Sequence, residues 1–149
     1  MPNISGVEVR VLSSAPAIMN IITEVKKLKL EPDQYIVIGS GILSALGIRA
    51  TDDVDLVVSQ TIYDYYKKQG WSEKKWPMGE PTVANGIYEM GTDWGDDTNI
   101  YHLADLLRNK QVVEGVNFVS LDFLKKWKLA KGRSKDLADV KLIDDYLVS

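Results

Sequence analysis

Apolar side chains recur along this chain in two periods, and the change from one to the other marks out its elements. Residues 7–12 alternate weakly and predict an edge strand. Ser14, Pro16 and the set Ile18, Ile21, Ile22, Val25 and Leu28 fit an N-capped amphipathic helix that packs by one stripe and ends at Glu31-Pro32-Asp33. Residues 35–38 form a continuous apolar run suited to a buried strand. A Gly39-Ser40-Gly41 turn and a short helix over residues 40–46 follow, and then a strand that opens with Asp53 and Asp55. Ser59 or Thr61 caps a helix through Gln69, which Gly70 stops. Residues 71–76 and 86–90 read as two strands joined by a loop containing Pro and Gly, residues 101–107 are helix-like, and residues 116–119 form a last short strand. Ser120 caps a helix whose Phe123, Leu124, Trp127 and Ala130 supply its apolar side, and Gly132 ends it. A final helix from Ser134 is expected to turn Leu137, Val140, Ile143 and Leu147 inward, with Asp136 and Asp139 near its positive end.

Composition narrows this picture. With 149 residues and a mass of 16.7 kDa, the chain has the length of one domain, residues 1–149, with a single core. It has no cysteine, which excludes disulfides and thiolate metal sites. Its start lacks the basic residues and long apolar run of a secretory signal, and no apolar run approaches a membrane span, so a cytoplasmic protein without membrane contact is expected. A net charge of −3 argues against a protein that coats DNA. Within that average, Lys125, Lys126, Lys128, Lys131, Arg133 and Lys135 form a local cationic patch able to offset triphosphate charge.

Candidate chemistry concentrates in YIVIGSGILSALGIRATDDVDLVVS, residues 35–59. Strand alternation puts Asp53 and Asp55 on one face, opposite Val54, Leu56 and Val58. At roughly 6 Å and an effective dielectric near 20, two such charges repel by about 3 kcal/mol, and a divalent cation between them reverses the sign. Gly39 and Gly41 allow close backbone approach to a ligand, Ser40 adds a hydroxyl, and the following helix aims free N–H groups at an anion. Magnesium favours carboxylates together with substrate phosphates, so the pair and the turn suit a metal–nucleotide complex. Glu89 shares a face with Ile87 and becomes a third ligand if its strand pairs beside Asp53 and Asp55. Asp93, Asp96 and Asp97 are rivals in the loop beyond, and Glu89 is preferred because strands position ligands better than loops.

Rival motifs fit less well. Ser44 stands where a dinucleotide fingerprint requires its last glycine, there is no Gly-Lys-Ser/Thr, and a calcium loop from Asp93 would meet Thr98 and Ala104 where Gly and Glu are needed.

Gly39-Ser40, followed after a short helix by Arg49, Thr51, Asp53 and Asp55, resembles the signature of the polymerase-beta-type nucleotidyltransferase superfamily, whose small members include antibiotic nucleotidyltransferases and partners in toxin–antitoxin pairs. The resemblance implies a nucleotidyltransferase fold, an α/β domain with a small mixed sheet flanked by helices. It also implies a Gly-Ser turn that holds the triphosphate, acids that bind two Mg2+ ions, and a third carboxylate from a later strand. The segment WKLAKGRSKDLADV resembles a closing segment in which a lysine and an Arg-x-Lys-Asp turn face the cleft, which places Lys128, Arg133 and Lys135 at the nucleotide. The implied reaction moves a nucleoside monophosphate from a nucleoside triphosphate, ATP first, to a hydroxyl of a small molecule, protein or transfer RNA. The alternative is an inactive relative acting as a binding component of a toxin–antitoxin or defence pair.

Blander readings stand beside these. The acid pair can be a solvated or salt-bridged edge, Arg49, a permanently charged donor that would orient substrate phosphate or brace the acids, can equally pair with Asp52 or Asp55, and the basic run can be a solvated helix face. His102 reads as structural, and Trp71, Trp76, Trp94 and Trp127 read as core or loop anchors before base-stacking platforms.

Overall fold

The computed structural model describes residues 19–149. The edge strand expected at residues 7–12 and the helix start expected at Ser14 and Pro16 lie outside the described residues. Helix α1 (Ile21–Lys26) is capped by Asn20, whose side-chain oxygen accepts from the Thr23 N–H at 3.2 Å, and it buries Ile21, Ile22 and Val25.

Strand β1 (Tyr35–Val37) is buried throughout. Helix α2 (Gly41–Ala45) leads to β2 (Val54–Val58), which runs antiparallel to β1 with Tyr35 opposite Val58 and Val37 opposite Leu56. This register sets the exit of β1 against the entrance of β2. Ile38 donates its N–H to the Asp55 carbonyl at 2.9 Å, so the Gly-Ser turn and the acids meet at one edge of the sheet. Asp53 immediately precedes the first ladder position of β2.

After helix α3 (Gln60–Lys68), capped by the Ser59 hydroxyl, come β3 (Ser72–Lys75), β4 (Pro81–Asn85) and β5 (Tyr88–Gly91). A small hairpin of β6 (Asp93–Gly95) and β7 (Ile100–His102) precedes α4 (Leu103–Leu107). Then follow β8 (Lys110–Val113), β9 (Val116–Val119), α5 (Leu121–Lys131) and α6 (Ser134–Leu147). The main sheet has the order β3-β4-β5-β2-β1-β9-β8 and is mixed, with β2–β5 and β1–β9 parallel and the other pairs antiparallel. An α/β architecture with a mixed sheet flanked by helices is therefore what the chain forms. Among the described residues no helix is long and apolar enough to cross a membrane.

Four expectations need correction. The stretch read as a Pro and Gly loop contains β4, with Thr82 and Val83 fully buried because both faces of this inner strand are covered. Pro81 occupies its first position, where a missing N–H is tolerated. Strand β8 was not foreseen, and residues 101–107 divide into the end of β7 and α4. Leu137 and Leu147 are exposed, because the inward face of α6 is Asp136, Asp139, Val140 and Ile143.

Gly41 owes its identity to packing. A methyl group there would lie 2.6 Å from Val37 Cγ1 and 2.9 Å from Ile21 Cδ1. Alanine's better helix propensity, about 1 kcal/mol, is outweighed by overpacking of about 1–3 kcal/mol. Gly41→Ala is expected to lower the melting temperature in a thermal scan, and an unchanged or higher value would show that α2 shifts freely.

Candidate active site

The β1–β2 edge opens into a cleft of about 1070 Å³ lined by the turn, the acids and the last two helices. At its floor Gly39 takes φ +63°, a conformation that favours glycine, and its α-carbon backs onto Asp55, where an added Cβ would stand 3.7 Å from Oδ2. Ser40 caps no amide with its side chain. Its hydroxyl donates a long hydrogen bond, 3.5 Å, to Asp139 Oδ2. Helix α2 has five residues, which limits the dipole it can aim at an anion.

The parallel register of β2 with β5 sets Glu89 directly opposite Asp55. The strand pairing on which the expectation for Glu89 rested is present. Burial, followed by repulsion from the Glu89 and Asp53 carboxylates, pushes the Asp55 carboxyl up to about 7. Among the described residues no Lys, Arg or His pairs with Asp53, Asp55 or Glu89. Glu89 Oε2 accepts from the Thr82 hydroxyl at 2.6 Å, and Glu89 is not part of the cleft lining. As placed, no three acidic or imidazole groups among the described residues stand close enough to ligate one ion. The donor set nevertheless fits a hard divalent cation, since clustered carboxylates without a counter-ion are what such an ion stabilises.

The rival acids are engaged elsewhere. Asp93 pairs with His102 across the β6–β7 hairpin, Asp96 accepts from the Thr98 and Asn99 N–H groups, and Asp97 meets Lys131.

Opposite the acids lies a network the sequence reading did not foresee. Arg49 grips Asp139 with two bonds, Nε to Oδ1 and Nη2 to Oδ2, both at 2.8 Å, and does not pair with Asp52 or Asp55. Lys128 is buried, 2.9 Å from Asp139 and 3.6 Å from Asp136. Arg133 binds Asp136 at 2.6 Å and lies over the Trp127 ring. Lys135 is exposed at the cleft. The Arg-x-Lys-Asp-x-x-Asp spacing was the available signal, since residues three apart share a helix face. Within the ion-paired network, Arg49, Lys128 and Arg133 against Asp136 and Asp139 leave one positive charge in excess.

The remaining walls are aromatic. Trp94 is buried and stacks on Trp127 with ring centres 4.6 Å apart, which makes it an anchor. Trp76 and Trp127 are half-buried and line the cleft. Glu80, also in the lining, was not singled out from the sequence, where only a Pro and Gly stretch surrounds it. Leaving one of its buried oxygens unpaired costs roughly 1–3 kcal/mol or more.

No family model and no curated protein sequence matches the chain. Among solved structures, a crystal structure of ANT(2")-Ia in complex with adenylyl-2"-tobramycin is similar over 85% of each chain, with 14% sequence identity and a TM-score of 0.49. A likeness so slight carries neither substrate nor mechanism across.

Proposed function

We propose that the chain is a Mg2+-dependent nucleotidyltransferase acting on a nucleoside triphosphate, ATP first. The observation that carries this reading is the β1–β2 register, which seats Gly39-Ser40 against Asp53 and Asp55 while β5 brings Glu89 opposite Asp55. Gly39, Ser40 and Gly41 hold the β and γ phosphates, assisted by the excess positive charge of Arg49, Lys128 and Arg133 and by Lys135. Asp53 and Asp55 hold the metal ions, with Glu89, once released from Thr82, as the third carboxylate. Bound there, the metal supplies neutralisation of charge on the attacking and leaving oxygens. Glu89 takes the proton of the acceptor hydroxyl, whose oxygen forms a bond to the α-phosphorus. The bond from that phosphorus to the bridging oxygen breaks, and pyrophosphate leaves with the electron pair. Positioning supplies most of the acceleration.

In thermal scans, ATP with Mg2+ is expected to raise the melting temperature of the protein, and Asp53→Asn with Asp55→Asn is expected to remove the metal-dependent part of that rise. A rise of equal size in the double variant overturns the reading. The ion pairs that engage Arg49, Lys128 and Arg133 favour a second reading, a non-catalytic binding component of a toxin–antitoxin or defence pair. That reading predicts nucleotide binding with no labelled product in an acceptor screen.

A further inference from the structure

Glu80 is 8% exposed and belongs neither to the acid cluster nor to the ion-pair network. Its Oε2 accepts from the Gly95 N–H at 2.8 Å, while Oε1 is closed to solvent with no hydrogen-bond partner among the described residues. The Gly95 carbonyl accepts from the Trp127 indole N–H at 3.0 Å, so one residue fixes both the carboxylate and an indole. The Trp76 ring lies against Gly91, where a methyl group would come within 2.8 Å of it. The turn that joins Trp76 to Glu80 is exposed over Pro77, Met78 and Gly79 and is closed by backbone hydrogen bonds from Trp76 to Glu80 at 3.1 Å and from Gly79 to Trp76 at 2.8 Å.

An ionised carboxylate oxygen only accepts, so its missing partner is a donor, and the half-buried Trp76 indole in the cleft wall favours a flat ring. We propose that Glu80 and Trp76, with Trp127 holding Gly95 in place behind them, form a base-recognition subsite in which Oε1 accepts from the exocyclic amino group of an aminopurine or aminopyrimidine. This rests on the nucleotide reading of the cleft and supplies the base preference that reading lacks. A base with a carbonyl at that position would set oxygen against oxygen.

The test is calorimetric titration of the full chain, with Mg2+, against ATP, inosine triphosphate, cytidine triphosphate, uridine triphosphate and inorganic tripolyphosphate. The wild type is expected to bind ATP at least tenfold tighter than inosine triphosphate, and the cytidine nucleotide tighter than the uridine one by a similar factor. In Glu80→Gln the amide donates where the carboxylate accepted, so both preferences collapse or invert while tripolyphosphate affinity stays unchanged. Equal affinity of the wild type for ATP and inosine triphosphate, with tripolyphosphate still bound, overturns the subsite alone. A preference for ATP that survives in Glu80→Gln overturns it as well. Failure of every phosphate ligand to bind overturns both this inference and the nucleotide reading.

Discussion

Asp55→Asn is expected to make the metal-free protein more stable at pH 8 while removing its response to Mg2+ with nucleotide. The folded state holds the Asp55 carboxyl at about 7 against an ordinary 3.8, because of burial and then repulsion from Glu89 and Asp53, with no cation among the described residues paired to any of the three. A carboxyl whose value rises on folding keeps its proton longer in the folded chain. Its contribution is therefore intact below 3.8, declines as pH rises toward 7, and is fully lost above that. The ceiling on that loss is about 4 kcal/mol, from 1.36 kcal/mol per unit. Water in the open cleft reduces the expected gain of the Asn variant to about 1–2 kcal/mol. For a domain of this size that is a rise of about 3–6 °C. Melting curves in chelator from pH 4 to pH 8 should show the two proteins converging at the acid end and diverging toward neutrality. An Asp55→Asn protein that melts below the wild type at pH 8 without metal would show that the carboxylates support the fold and are not held in readiness for a ligand. Asp53, which is exposed, should give the smaller effect of the two.

Gain of stability on removal of a functional charge is the expected signature of a site whose local cost is carried by the rest of the fold. It also explains why this part of the molecule was legible in the sequence. The strand, turn, helix and acidic strand at residues 35–58 are local, so alternation and glycine placement sufficed to bring the Gly-Ser turn and acids together. Glu89 needed one further fact, the pairing of β5 with β2, which no local pattern contains. Strand β4 escaped notice for a related reason. An inner strand covered on both faces loses the polar alternation that marks an edge strand, and Thr82 is buried as completely as Val83. On the last two helices the apolar pattern itself misled. Lys128 sits on the buried stripe of α5 with Leu121 and Leu124, and Asp136 and Asp139 share the buried face of α6 with Val140 and Ile143. Hydrophobicity therefore pointed to Leu137 and Leu147, whereas ion pairing settled the matter. Charges at core positions are legible only when their partners are known, and here the partners come from three separate elements.

That network supplies the larger stability effect. Asp139→Leu is expected to destabilise the protein by about 3–5 kcal/mol, because it leaves the buried Lys128 and the Arg49 guanidinium without their shared counter-ion. Lys128→Met should cost less, since Asp139 keeps Arg49 and Asp136 keeps Arg133. The double variant should be more stable than the sum of the two single losses predicts, as a buried pair exchanged for apolar groups of similar size is often close to neutral. The hydrogen bonds from Arg49 and Lys128, opposing the effect of burial, hold the Asp139 carboxyl down at about 2. A carboxyl lowered on folding contributes stability that is present above 3.8 and lost as pH falls toward 2, so acid unfolding of the wild type should steepen in that window, and Asp139→Asn should flatten it. Strict additivity in this denaturant double-mutant cycle would mean that Lys128 and Asp139 do not interact. A coupling of about 1–3 kcal/mol would establish that α6 is fastened to α5 through the Asp139 carboxylate. Because the Ser40 hydroxyl reaches that same carboxylate at 3.5 Å, loosening it should also weaken binding of tripolyphosphate at the turn, an effect that a purely structural brace placed elsewhere on α6 would not produce.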